Sequence, residues 1–132
     1  MPNFKCIVVT PETTVLDEEV EFVALPLYDG ELGIAPKHAP MIGRLGYGEM
    51  RVRAAGKETR YYVDGGFVQV VGDVTSVLTN RCLLAQKVDA AAAKLLLDTA
   101  MQKKANTNEL FAIRERLIGQ ARAQVRVAQK AR

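Results

Sequence analysis

Leu84-Ala85-Gln86-Lys87-Val88-Asp89-Ala90-Ala91-Ala92-Ala93-Lys94-Leu95-Leu96-Leu97 is where this chain changes character. Nine of the ten glycines, all five prolines and seven of the eight Phe and Tyr residues precede it, leaving only Gly119 and Phe111 beyond. Gly and Pro punctuate short strands and turns, whereas their scarcity together with Ala, Leu, Gln, Lys and Arg enrichment favours helix. Residues 1–84 therefore read as all-β and residues 85–132 as helical, an α+β chain in two parts.

Upstream of the break, alternation with period two recurs. Met50, Val52 and Ala54 share one strand face and Glu49, Arg51 and Arg53 the other; Thr59, Tyr61 and Val63 oppose Glu58, Arg60 and Tyr62 in the same way. One face of each strand is thus expected to be buried and the other wet. Ala55-Gly56-Lys57 joins the two runs as a turn, while Gly65-Gly66 and Gly72-Asp73 read as two further reversals bounding Phe67 to Val71 and Val74 to Thr79. With Phe4 to Val9 and Val20 to Leu25 added, the spacing predicts an antiparallel sandwich or barrel. The acidic run Asp17, Glu18, Glu19 and Glu21 reads as a solvated face guarding a sheet edge.

Downstream, Asp89 can cap a helix running to about Lys104, and Asn106 with Glu109 has capping-box spacing for a second. A short turn between them makes an antiparallel helical hairpin. On the second helix Leu110, Ile113, Leu117, Ala121, Val125 and Ala128 fall on one stripe, with Arg114, Arg122 and Arg126 on an adjacent face. Alanine methyls allow close approach but bury little area each, so the hairpin is expected to dock weakly. Gly119 reads first as a close-packing contact and second as a hinge.

The composition excludes several classes. The 132 residues carry 18 Lys+Arg and 15 Asp+Glu, a net charge of +3, and 48% are hydrophobic, which describes an ordinary soluble domain rather than a dedicated nucleic-acid binder. No apolar run approaches the ~18 residues of a membrane span, and the amino terminus lacks the features of a secretory signal or transit peptide. Cys6 and Cys82 lack C-x-x-C spacing, so free core thiols are the ordinary reading, with a disulfide or a two-thiol metal site the alternatives. No phosphate-binding loop, dinucleotide fingerprint, zinc-protease helix or nucleophile elbow is present, and His38, the only histidine, sits between Pro36 and Pro40 in a loop. An independent enzyme is not expected. The charge is uneven: residues 103–132 hold eight basic and two acidic side chains, +6, leaving −3 for residues 1–102. That tail is the sole support for a second reading, a module whose basic helix contacts nucleic acid, and with Phe111 as its only aromatic it lacks a base-stacking platform.

Asp29-Gly30-Glu31-Leu32-Gly33-Ile34-Ala35-Pro36-Lys37-His38-Ala39-Pro40 is expected to form a stiff, exposed loop suited to partner contacts. Gly30 to Pro40 resembles the hallmark G-E-x-G-I-x-P-x-H-A-P of the epsilon subunits of F-type ATP synthases. Gly65-Gly66-Phe67-Val68-Gln69-Val70 resembles that family's second signature, with Gln69 where an acidic residue is common. The resemblance extends over the whole chain and implies an amino-terminal β-sandwich, residues 1–84, followed by a carboxy-terminal helical hairpin, residues 85–132.

It further implies a non-catalytic rotor subunit whose sandwich binds the γ subunit and the ring of c subunits. Glu31, Leu32, Lys37, His38 and Met41 would lie on the side facing that ring. Arg114, Arg122 and Arg126 would meet acidic surfaces of the catalytic α and β subunits when the hairpin extends to block ATP hydrolysis. The expected place is peripheral, on the cytoplasmic face of the cell's inner membrane, reached only through the complex. No cofactor is expected. Some relatives bind ATP in the hairpin through an [I/L]-D-x-x-R-[A/R] motif, which here reads Val88-Asp89-Ala90-Ala91-Ala92-Ala93, with Ala92 replacing the arginine. Asp89, Arg122 and Arg126 are what remains of such a nucleotide site.

Overall fold

The computed structural model describes residues 3–130. The first two residues, part of the amino-terminal reading, and Arg132, counted in the basic tail, lie outside them. Eight strands run β1 (Phe4–Val9), β2 (Thr14–Val20), β3 (Phe22–Leu27), β4 (Gly30–Ile34), β5 (Met41–Ala54), β6 (Lys57–Val71), β7 (Val74–Leu78) and β8 (Cys82–Leu84). A 3-10 turn at Ala85–Lys87 leads into helices α1 (Ala90–Met101) and α2 (Asn108–Lys130). The strand order is β2-β1-β7-β6-β5-β3-β4, with β8 also paired to β6, and every pairing is antiparallel except β1 with β7.

β5 and β6 hold the two layers together. They form one long ribbon closed at Ala55-Gly56, both at positive φ (52° and 75°), the backbone of a two-residue hairpin turn. Gly65-Gly66 does not reverse the chain. It lies inside the 15-residue β6, where Leu45 pairs with Gly66 and Tyr47 with Asp64 in one continued register. What it changes is parity. Before it Val63 points inward and Tyr62 and Asp64 outward; after it Val68 and Val70 point inward and Phe67 and Gln69 outward. β5 makes the same switch at Gly46, from Met50 and Val52 inward to Leu45 and Met41 inward. Both strands therefore fold over one corner, so β6 pairs with β8 on one side of it and β7 on the other. A side chain at Gly66 (φ +107°) would place its Cβ 1.8 Å from the Leu78 carbonyl oxygen.

The sandwich core comprises Cys6, Val8, Val20, Val23, Leu25, Ile34, Met50, Val52, Val63, Val68, Val70 and Val77 among others. β2, which carries Asp17, Glu18 and Glu19 of the acidic run, is an edge strand as expected, and Asp17 pairs with Lys5 at 3.3 Å. The strand expected over Val20 to Leu25 is divided at Glu21, since β2 ends at Val20 and β3 begins at Phe22; the Glu21 carboxylate accepts the Gly56 amide at 2.8 Å and ties this corner to the β5–β6 turn. Both thiols are free; burial pushes Cys6 up to about 12 and Cys82 to about 11, so neither is poised to react.

Asp89 caps α1, its Oδ1 accepting the Ala92 amide at 3.0 Å, and the helix ends at Met101, short of Lys104. The α2 cap is Thr107 rather than Asn106, with its Oγ1 accepting the Leu110 amide at 3.1 Å.

Candidate subunit-docking surfaces

The hairpin covers the outer face of the ribbon that looked wet in the sequence. Tyr62, placed by alternation beside Arg60 and Glu58, is fully buried in a second apolar cluster with Ala85, Val88, Ala123, Val127 and Ala128. One side-chain hydrogen bond joins α2 to the sandwich among the described residues: Gln120 Nε2 donates to Asp64 Oδ1 at 3.0 Å. Asp64 is fixed in turn, its amide donating to Thr79 Oγ1 and its carbonyl accepting from Asn80. The buried stripe of α2 is Ile118, Ala121, Ala123, Val127 and Ala128. The helix has two neighbours, α1 and the sheet, and so buries two faces where the sequence suggested one. Leu110 and Ile113, assigned to the apolar stripe, are exposed beyond the sandwich together with Phe111 and Met101. Gly119 is not a close-packing position, since an added Cβ would sit at ordinary contact, 3.8 Å, from the Tyr47 ring.

The Tyr62 hydroxyl lies beside Gln124 but makes no hydrogen bond of normal geometry. Burial, and secondarily the Asp64 charge, push its ionisation well above the ordinary tyrosine range. The docked state therefore keeps a neutral phenol, while an undocked Tyr62 ionises near pH ~10. Above that pH the undocked state binds fewer protons, so docking should be constant below about pH 10 and weaken progressively beyond it. Phenolate absorbance and a sandwich-to-α2 fluorescence distance, followed together, check this; a distance unchanged while Tyr62 ionises contradicts it.

A different outer face is covered by none of the described residues. Past the corner, Ile42 of β5, Phe67 and Val71 of β6 and Leu78 of β7 are 72%, 58%, 56% and 54% exposed, a concentration of large apolar groups on one sheet. This surface escaped the sequence reading. The signal was there in Phe67, an aromatic directly after the paired glycines, but its direction depends on the parity switch.

The segment Asp29 to Pro40 is only partly a loop. Gly30–Ile34 is edge strand β4, paired with β3, and the connection that follows carries Lys37 at φ 65°. Glu31 reaches across β3 to Arg51, Oε1 to Nη2 2.8 Å, joining an outer-face network of Arg51, Glu49, Glu58 and Arg60. Leu32 and Met41 pack against the core, and the His38 Nδ1 lies 2.8 Å from the Ala39 carbonyl. Of these five residues, then, Glu31, Lys37 and His38 present polar groups outward.

The hairpin residues are dispersed. Arg114 donates to the Met101 carbonyl at 3.1 Å and to Glu115, closing the end of α1; Arg122 and Arg126 are exposed. Asp89 is engaged as a helix cap, and no hydrogen bond or ion pair among the described residues joins it to Arg122 or Arg126. No group of three or more His, Cys, Asp or Glu among the described residues could hold a metal ion, and no helix among them is long and apolar enough to cross a membrane.

The model of the ATP synthase delta/epsilon chain β-sandwich domain matches residues 3–85. The ATP synthase epsilon chain of Rhodopirellula baltica is 45% identical over 126 residues, covering 96% of this chain and 98% of that one. The chain belongs to the ATP synthase epsilon family. Epsilon chains are regulatory and structural subunits, so this is a non-catalytic component of the membrane-associated ATP synthase. The epsilon chain of a Synechococcus species is 46% identical over 101 residues, covering 76% of this chain and 73% of its own. The sodium ion specific epsilon chain of Propionigenium modestum is 30% identical over 132 residues, covering 98% and 96%. Among solved structures, a chain of the Euglena gracilis mitochondrial ATP synthase, in its OSCP/F1/c-ring structure, superposes with a TM-score of 0.81 at 19% identity, covering 99% of this chain and 82% of that one. A chain of the Tetrahymena thermophila central stalk and c-ring gives 0.73 at 16%, covering 96% and 94%. At these identities the superpositions speak for the fold: a β-sandwich followed by two helices.

Proposed function

We propose that this epsilon chain is a central-stalk, rotor subunit whose sandwich, residues 1–84, is fixed to γ and to the c-ring, and whose hairpin, residues 85–132, restrains ATP hydrolysis. The observation that carries the anchoring role is the uncovered apolar face of Ile42, Phe67, Val71 and Leu78 on a sheet whose neighbouring outer face the hairpin already occupies. A contiguous exposed apolar patch of this kind marks a protein interface, and γ is the partner assigned to it. The polar edge of Glu31, Lys37 and His38 is assigned to the c-ring. Phe67→Asp puts a charge at the centre of the patch and should weaken binding to γ at least ~30-fold, as loss of a hot-spot aromatic does, with thermal stability unchanged. Wild-type affinity in that variant would move the γ contact elsewhere.

The regulatory role rests on the hairpin's chemistry. Its docked contacts are methyl groups around Tyr62 plus one hydrogen bond, and residues 103–132 carry +6. Such an element favours release toward an acidic surface, with Leu110, Phe111 and Ile113 already exposed at its tip. Release along γ toward α and β, with Arg122 and Arg126 on the contacting face, would block rotation in the hydrolysis direction. Removing residues 85–132 should leave γ binding intact and relieve inhibition of ATPase activity; equal inhibition by the truncated chain removes the hairpin from the mechanism. The complex is read as proton-coupled and seated on the cytoplasmic face of the cell's inner membrane, with this chain peripheral.

A further inference from the structure

The strand pairings lay out the bare face residue by residue. One row across it runs Arg44 of β5, Phe67 of β6, Leu78 of β7 and Val9 of β1, each opposite the next. Towards the other end of the same strands a second row runs Val71 of β6, Val74 of β7, Lys5 of β1 and Glu19 of β2. The outward paired positions carry four charged side chains, Arg44, Lys5, Asp17 and Glu19. Lys5 pairs with Asp17 at 3.3 Å, whereas Arg44 and Glu19 form no ion pair among the described residues. The face is therefore neutral in sum, with an apolar middle, one unanswered cation at a β5 corner and one unanswered anion at the opposite β2 corner. The Arg44 guanidinium lies 4.5 Å from the Tyr28 ring centroid. Stacking of this kind holds the group at its corner and leaves its in-plane N–H groups free to donate.

From β5 to β2 is four interstrand spacings, ~19 Å. That exceeds the Debye length of ~8 Å at physiological ionic strength, so the two charges do not cancel for a surface laid over them and each must be matched where it stands. Apolar burial is non-directional, and the middle of the face alone would accept a flat partner turned half round in its plane. The corners would not, because the turned partner sets like charge on like. We propose that γ presents a carboxylate over Arg44 and a basic side chain over Glu19, and that these two contacts set the rotational orientation of the sandwich on γ. That orientation decides which edge of the sandwich is turned to the c-ring. The inference rests on the assignment of this face to γ and adds the chemistry and direction of the contact.

The test is titration of γ with the full chain carrying one reversed charge at a time, with association rates followed alongside. Arg44→Glu and Glu19→Lys should each weaken binding at least ~10-fold, in large part through slower association, with the midpoint of thermal unfolding unchanged. Arg44→Gln and Glu19→Gln should weaken it in the same direction by less. Lys57→Glu, a reversal at the far end of the β5–β6 ribbon, should leave affinity unaltered. Tighter binding in Glu19→Lys would make the γ surface uniformly acidic, and tighter binding in Arg44→Glu would make it uniformly basic; either overturns the proposal. An equal loss in Lys57→Glu overturns it in favour of diffuse attraction. If Phe67→Asp weakens binding and neither corner reversal does, the orientation is set elsewhere while the γ assignment stands. If Phe67→Asp has no effect on γ but abolishes self-association of the chain, the face joins two copies, and the assignment and this proposal fall together.

Discussion

Gly66→Ala should destabilise the sandwich by about 4 kcal/mol, the sum of a strained left-handed backbone and an overpacked contact. The new methyl carbon would lie 1.8 Å from the Leu78 carbonyl oxygen, 2.8 Å from its carbon and 2.9 Å from Thr79 Cα, all backbone atoms that cannot rotate away. Relief requires β6 and β7 to separate, which breaks the Phe67 to Leu78 pairing and the floor of the apolar face. In a domain of this size the midpoint of thermal unfolding should fall by ~10–20 °C. Gly72→Ala is the matched control: its φ of +58° is also left-handed, yet nothing lies within 4 Å of the added carbon, so only ~1 kcal/mol is expected. Equal losses in the two variants would show that backbone strain, rather than the corner's close approach, is what Gly66 relieves.

Ala123→Glu should undock the hairpin without unfolding the sandwich. Ala123 is 1% exposed and packs into the Tyr62 cluster, where a carboxylate has neither room nor a partner. Leaving an unpaired charge there costs at least ~3 kcal/mol, enough to shift the docking equilibrium more than ~100-fold by the relation of ~1.4 kcal/mol per decade. The core of the sandwich does not include this cluster, so β1, β6 and β7 should keep their hydrogen-exchange protection while α1 and α2 lose theirs. Arg122→Glu, one residue earlier on an exposed position, should leave exchange unaltered. Protection of α2 retained in Ala123→Glu would mean that the contacts around Tyr62 do not hold the hairpin. In the assembled enzyme the released hairpin should deepen inhibition of hydrolysis if the regulatory assignment is right.

The two-part organisation was legible because it depends on local chemistry. Backbone freedom at glycine, the locked φ of proline and the low helix cost of alanine act over a few residues, so the switch at Leu84 and the Asp89 cap show directly in the sequence. The ribbon turn at Ala55-Gly56 was legible for the same reason. The signature through Gly30 to Pro40 is likewise local, a run of neighbouring residues by which the family is recognised. The Asn106 cap was misplaced by one residue because Asn106 and Thr107 are both competent caps, and local spacing does not choose between them.

The sites were legible only as residues, since their roles depend on which side of the corner each faces. Paired glycines read as a reversal because local chemistry permits one; only the pairing of β6 with β5 throughout its length makes them a bend that inverts the parity of Phe67 and Ile42. Tyr62 read as solvent-facing because alternation reports which face a residue occupies and not what later covers that face. Glu19 and Arg44 stand far apart in the chain and take opposite corners of one face only once five strands have paired. The sequence by itself determined the order of sandwich and hairpin, the Ala55-Gly56 ribbon turn, the Asp89 cap, the charge split and the family, all properties of neighbouring residues. The tertiary structure decided which apolar face is left bare, which is buried by the hairpin and which charges flank the bare one, because each depends on contacts between segments that no local pattern records.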